Sequence, residues 1–370
     1  MPDWNLPPVM QRRRYLQACL GAGVASLAGC TDLGLVETRD LSSAPPVLDN
    51  RPDAVYFPTH VDGMELVGMA EHESGDYAAA LTYTYPHRFW RVDATTDAVE
   101  DATLEAVKDG DDVHLMAVVW DPKTERTLPE SGVSVDISMG GDPLDEQVIY
   151  PMLSPRMGFH YGANFALDGD GEYTVDIDIG GTNVRRTGAY QGRFVDAATI
   201  TIPFEFSASK RDEIPVERTT ERAGEAAAPP VMDMAMPLGI APAPDSLPGQ
   251  YRGTTASGDA EFAVTTLKRP PEGSDGDGTY LAVSARTPYN ELLLPAMALE
   301  ARLRRDGETV FEGSLERTFD DSLNYHYGAV VGDIAAGDEL VIDVRTHPQI
   351  ARHEGYETAF LDMPSAELTI

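Results

Sequence analysis

The sequence predicts an all-β protein made of two β-sandwich domains related by internal duplication, behind an N-terminal targeting segment. Three observations carry this. Short β-branched or aromatic runs recur between Asp-Gly, Gly-Gly and Pro-containing turns, the punctuation of strands rather than helices. The second half of the chain repeats the first at a shift of 166 positions. Apolar residues make up 42% of 370 positions, enough to fill cores and to argue against global disorder.

The elements follow in order. Residues 1–30 are set aside as a signal: Arg12-Arg13-Arg14-Tyr15-Leu16 has the adjacent arginines of twin-arginine export. The uncharged stretch from Leu16 to Gly29 is too short to cross a hydrocarbon layer of about 30 Å as a helix. It ends in Leu27-Ala28-Gly29-Cys30, which resembles a lipobox, so Cys30 is the expected lipidation site. One acyl chain holds a protein weakly, so a two-chain anchor on the outer face of the cytoplasmic membrane is expected. Cys19 leaves with the signal, so the mature chain has no thiol for disulfides or Cys-type metal sites.

Residues 31–52 read as a tether, and residues 53–207 as the first sandwich. Its strand-like runs are Tyr77 to Tyr85, Val113 to Trp120, Val133 to Ile137, Tyr173 to Ile179 and Thr199 to Phe206, while only Asp97 to Lys108 looks mildly helical. Evenly spaced short strands suggest a sandwich. Residues 208–248, rich in Ala, Pro, Glu and Met, read as a partly extended linker. Residues 249–370 form the second sandwich. The duplication places Leu115 on Leu281, Pro122 on Pro288, and His160-Tyr161-Gly162-Ala163 on His326-Tyr327-Gly328-Ala329. With one residue of slip, Glu172 meets Glu339, Asp176 meets Asp343, Arg185 meets Arg352 and Gly188 meets Gly355.

The formal charge of −33 becomes −35 once residues 1–29, with three Arg and one Asp, are removed. Lysine is confined to Lys108, Lys123, Lys210 and Lys268. An acidic, lysine-poor surface suits solubility in strong brine, which suggests a halophilic origin. It excludes nucleic acid and anionic lipid surfaces as natural partners.

Chemistry-bearing residues cluster in the first sandwich. In Val113-His114-Leu115-Met116 the side chains of His114 and Met116 share one strand face. Downstream come Met152, Met157 and His160. Imidazole and thioether suit soft or borderline metals, Cu(I) above all. The same residues also fit a core filled by Met, with His160 a satisfied turn histidine. Met232, Met234 and Met236 alternate in the linker, where they suit a scavenger of Cu(I), a lid over the metal site, or plain linker. His87, isolated in an aromatic run, reads as a packing residue. No nucleophile–base order, phosphate loop or paired-acid motif emerges, so the chain is expected not to be an enzyme.

The segment "YPMLSPRMGFHYGANFALDGDGEYTVDIDI", with "VHLMAVVW" before it and "TGAYQGRF" after it, resembles the periplasmic ferrous-iron transport protein family over roughly residues 110–206, and more faintly over the second block. The resemblance implies an immunoglobulin-like sandwich. It also implies binding of iron or copper (Fe2+, Cu+ or Cu2+) through His, Met and an acidic residue, beside a membrane iron permease. Carried over, the ligands are His114, Met152 and His160. Met116 stands where the family has Glu, and the family's loop histidine falls at Arg186, which stays protonated and cannot ligate.

In the second block Tyr280, Ala282 and Thr318 replace His114, Met116 and Met152, His326 survives, and His353 is the loop histidine. The family's dimers, in which that loop reaches the partner's site, imply an intramolecular pseudo-dimer. One site then combines His114, Met116, Met152 and His160 with His353, with His326, Met157, Met234 and Met236 as weaker candidates, while the site with Tyr280, Thr318 and Arg186 has decayed. The function expected is an anchored lipoprotein that binds iron or copper and supports iron uptake. A copper chaperone or sink, and a non-metal cell-surface module, are the alternatives.

Overall fold

Alternation at two-residue spacing organises the layers. In the strand Ala198–Phe206, Ala198, Ile200, Ile202, Phe204 and Phe206 are buried while Thr199, Thr201, Pro203 and Glu205 face solvent, as a strand with one wet face requires. The strand Val113–Asp121 is instead buried at every residue. Its inward set, Val113, Leu115, Ala117 and Val119, joins the main core, whereas Met116, Val118 and Trp120 pack in a separate cluster on the outer face. Something must therefore cover that outer face, and His114 shares it.

The computed structural model describes residues 36–38 and 45–370. Arg12, Arg13 and Cys30, with the export and lipid expectations they carry, lie outside the described residues. The described residues are nearly all β and belong to one compact unit. In the first block, Glu65–Glu71, Ala78–Thr84, Val113–Asp121, Gly158–Phe165 and Tyr150–Ser154 lie side by side in one layer, and Asp142–Val148, Val133–Met139, Gly171–Ile179 and Ala198–Phe206 in the other. In the second block the order recurs. Gln250–Ser257, Ala260–Leu267, Thr279–Arg286, Asn324–Val331 and the end of Glu308–Asp320 make one layer; the start of that long strand joins Ala298–Arg305, Glu339–Thr346 and Ala366–Thr369 in the other.

Two short arms cross between the blocks. Ala351–Arg352 lies parallel to Tyr150–Ser154, with Met152 opposite Ala351. Arg185–Thr187 lies parallel to the end of Glu308–Asp320, with Arg185 opposite Thr318. Moving Met152 and Arg185 by the 166-residue repeat gives Thr318 and Ala351, so the exchange is reciprocal in identical register. This register corrects the one-residue slip expected in the arm: Arg186 corresponds to Arg352, and Thr187 to His353. The two guanidiniums confirm it, Arg186 donating to the Thr182 carbonyl and Arg352 to the Pro348 carbonyl, again 166 residues apart.

Three segments differ from their sequence expectation. Asp97 to Lys108 contains one 3-10 turn, Val99–Asp101, and then a strand, Thr103–Glu105, that pairs with Phe89–Arg91; edge pairing outweighs a weak helical pattern. Within the tether region, Val36–Thr38 pairs with Pro215–Arg218, which also pairs with His60–Asp62. The Pro-rich stretch 208–248 is packed down, with Ile214, Val216, Met236, Ala241 and Leu247 buried. Met236 joins Met116, Met157, Val118 and Trp120, with Met64 and Met234 against them, and this is the cover over the outer face. Burying an Ile, Val, Met or Leu side chain contributes roughly 1.5–3 kcal/mol, enough to hold a segment whose one strand is Pro215–Arg218.

Candidate metal centre

His114 and His160 arise from neighbouring antiparallel strands, and both point to the outer face because their inward neighbours, Leu115, Phe159 and Tyr161, fill the core. Met152 is directly opposite His160 on the next strand and is fully buried. Gly162 opposes Met116 and leaves the floor open: a Cβ there would sit 2.7 Å from His114 Nε2 and 3.2 Å from Met152 Sδ. The glycine in the His-Tyr-Gly-Ala block is thus a clearance for two donors.

The second block supplies His353 immediately after the Ala351–Arg352 arm, its backbone N–H held by the Leu153 carbonyl at 3.1 Å. Its ring is stacked on His160, centroids 5.3 Å apart, and lies edge-on to His114 at 5.7 Å. His87 is the residue that sequence reasoning misplaced. It enters between these rings, 4.0 Å from His114 and 4.7 Å from His353. Ligating nitrogens of His87, His114 and His353 all lie within 4.8 Å of one another. The arm itself explains this: Arg352 pairs with Trp90, so the second block's strand is wedged between the Met152 strand and Phe89–Arg91, and His87 comes with the latter. An isolated histidine in a Tyr-Pro-His loop gave no such signal.

The tautomers are set by acceptors. His160 Nδ1 donates to the Gly158 carbonyl at 3.0 Å and His87 Nδ1 to the Tyr85 carbonyl at 3.1 Å. His114 Nδ1 lies 2.8 Å from Asn164 Oδ1, and Asn164 Nδ2 donates to the His87 carbonyl at 3.0 Å, which fixes the amide so that its oxygen faces His114. Each proton is therefore on Nδ1, and each Nε2 keeps its lone pair, the tautomer that an acceptor behind a metal-binding histidine enforces. The Nε2 atoms of His114, His160 and His353 are buried with no hydrogen-bond partner. A buried polar atom left so costs about 1–3 kcal/mol. Burial holds His114 down at about 3 and His160 at about 4, and puts His353 well below the ordinary imidazole value; all three are neutral and able to ligate.

Met116, His87, His160 and His353 also line a cavity of about 110 Å3, shared with His60, Met64, Met232 and Glu354. Met157, Met234 and Met236 lie in the methionine cluster next to Met116 rather than among the imidazoles. His326 is elsewhere, in the second block. There its Nδ1 lies 3.0 Å from the Asn324 carbonyl and its Nε2 3.0 Å from the Tyr280 hydroxyl, so both nitrogens are satisfied. Burial pushes Tyr280 up to about 12, so its hydroxyl keeps the proton it donates.

The family described as a domain of unknown function, DUF7350, matches residues 245–369. Among solved structures, the chain is similar to FetP of uropathogenic Escherichia coli, as isolated after expression in the periplasm, with 22% identity and a TM-score of 0.28 over 40% of this chain and 96% of that one. A copper-bound variant of the same protein gives 21% identity and a TM-score of 0.27 over 40% and 92%. No curated protein matches. No helix among the described residues is long and apolar enough to cross a membrane.

Proposed function

We propose that this chain is an extracytoplasmic, lipid-tethered metal-binding protein that carries copper or iron on His114, Met152, His160 and His353 and supports uptake through a membrane iron permease. It is a carrier, not an enzyme. The two blocks act as an intramolecular pseudo-dimer, the second lending His353 to the site of the first. One observation carries the reading: the buried, unpartnered nitrogens of His114 and His353 lie within 4.8 Å of each other and of a His87 nitrogen, with the His160 ring stacked on His353 and the Met152 thioether beside His114. A metal ion satisfies such lone pairs, and neutral donors of this kind select soft or borderline ions.

Competition titration of the purified protein with Cu(I), Cu(II) and Fe(II) tests this. One tight equivalent is expected, and His353→Ala should lose as much affinity as His160→Ala. An unchanged titration for His353→Ala removes the role of the second block. A copper chaperone or sink is the second reading, favoured by Met116, Met157 and Met236 packed with Met64 and Met234 beside the imidazoles; a strong preference for Cu(I) over Fe(II) in the same titration selects it. Binding of none of the three ions leaves the non-metal surface module.

A further inference from the structure

The centre has one more donor than a four-coordinate site needs, and the two candidates for the last position differ in chemistry. Met152 Sδ lies on the floor with His114 Nε2, both over the bare Cα of Gly162. His87, its ring 4.0 Å from that of His114, lines the cavity, whereas Met152 does not. His353 lies edge-on to His114, and His160 is stacked on His353.

We propose that Met152 and His87 divide the oxidation states of copper between them: Met152 completes the site for Cu(I) and His87 completes it for Cu(II), around the shared His114, His160 and His353. The proposal rests on the reading of this cluster as a metal centre. Thioether sulfur is the soft donor that Cu(I) prefers, whereas imidazole suits Cu(II), which also takes more ligands in tetragonal geometry. Met152 is sealed in, against Phe89 and Ala351. His87 borders the cavity, where additional ligands fit. Both donors are neutral, so exchanging one for the other leaves the protein's charge unchanged.

Asn164 links the two arrangements. Its Oδ1 accepts from His114 Nδ1 at 2.8 Å and from the His87 backbone N–H at 3.3 Å, and its Nδ2 holds the His87 carbonyl. One side chain therefore orients the shared ligand and places the loop that carries the alternative one. Asn164 is a positioning residue.

The test is titration of the full chain with Cu(I) under anaerobic conditions and, separately, with Cu(II), each against a competing chelator. His87→Ala is expected to weaken Cu(II) by at least about tenfold, ~1.4 kcal/mol, and to leave Cu(I) unchanged. Met152→Ala is expected to do the reverse. His87→Gln and Met152→Leu keep the volume of each side chain, so a loss seen in these variants as well is a loss of ligand rather than of fold. The electron paramagnetic resonance spectrum of the Cu(II) form should lose one nitrogen coupling in His87→Gln. Wild-type binding with no split between the His87 and Met152 variants overturns this proposal alone. Wild-type protein that binds neither state of copper overturns the metal centre and this proposal together.

Discussion

His160 and His326 occupy the same place in the two blocks, yet one is open and the other closed. Both donate Nδ1–H to the carbonyl two residues earlier, at 3.0 Å. That earlier residue is Gly158 or Asn324, each with φ in the left-handed region, which these two residue types tolerate. The strands around them pair in the same order and register. The difference is in what faces Nε2. In the second block Tyr280, at the place of His114, brings a hydroxyl that closes the imidazole. Thr318 takes the place of Met152, and Thr187, bonded to Asp320, the place of His353. The second block shows what a buried histidine does when it is structural. The first leaves its nitrogens unsatisfied at a cost in stability, a pattern that makes sense if an ion is to occupy them.

That contrast can be broken most severely by making the first site resemble the second. His114→Tyr should lower metal affinity by at least about a hundredfold, ~2.7 kcal/mol, with little loss of fold, because the second block accommodates tyrosine at this position. Calorimetric titration measures it, and retained affinity would mean that His114 is not a ligand. Asn164→Ala removes no ligand but frees the His114 ring and the loop that carries His87. A drop of about 10–100-fold is expected, as for other outer-shell partners, with the stoichiometry unchanged.

Acid should load on both blocks but most on the first site, because burial lowers three imidazoles there and one, His326, in the second block. His114, His160 and His353 are held neutral in the fold below the ordinary value of 6.5, so below that pH the unfolded chain takes up more protons than the folded one. Their contribution to stability is intact above pH 6.5 and is lost as pH falls through about 4 towards 3. The Tm of metal-free protein should fall across that window, and His114→Tyr should flatten the fall; an identical slope in both would contradict neutral burial of His114. The smallest effect on metal is expected from Gly328→Ala. Its methyl would collide with the Tyr280 hydroxyl and break the bond to His326, costing roughly 1–3 kcal/mol. Thermal unfolding should register this while metal affinity stays the same.

How much of this was legible depended on whether the signal was local. His114 and Met116 could be placed on one face from their i, i+2 spacing alone, and the strand layers from alternation such as Ala198–Phe206. His353 became visible only through the duplication, since nothing near it marks it as a ligand. The exact partner of His353 was misread as Arg186, because matches such as Arg185 with Arg352 favour a slip that the strand register does not allow. His87 was not legible at all: it reaches the site because an arm from the other end of the chain pairs with its strand. The docking of residues 208–248 was hidden for a related reason. Pro-rich composition reads the same whether a segment is free or pinned by a few methionines.

The most direct measurement of the central claim is the position of anomalous scattering in crystals of the copper-loaded protein. One peak is predicted, within coordination distance of Nε2 of His114, His160 and His353, with none at His326 and Tyr280. A peak at His326, or peaks confined to surface carboxylates with the three nitrogens left bare, would contradict it.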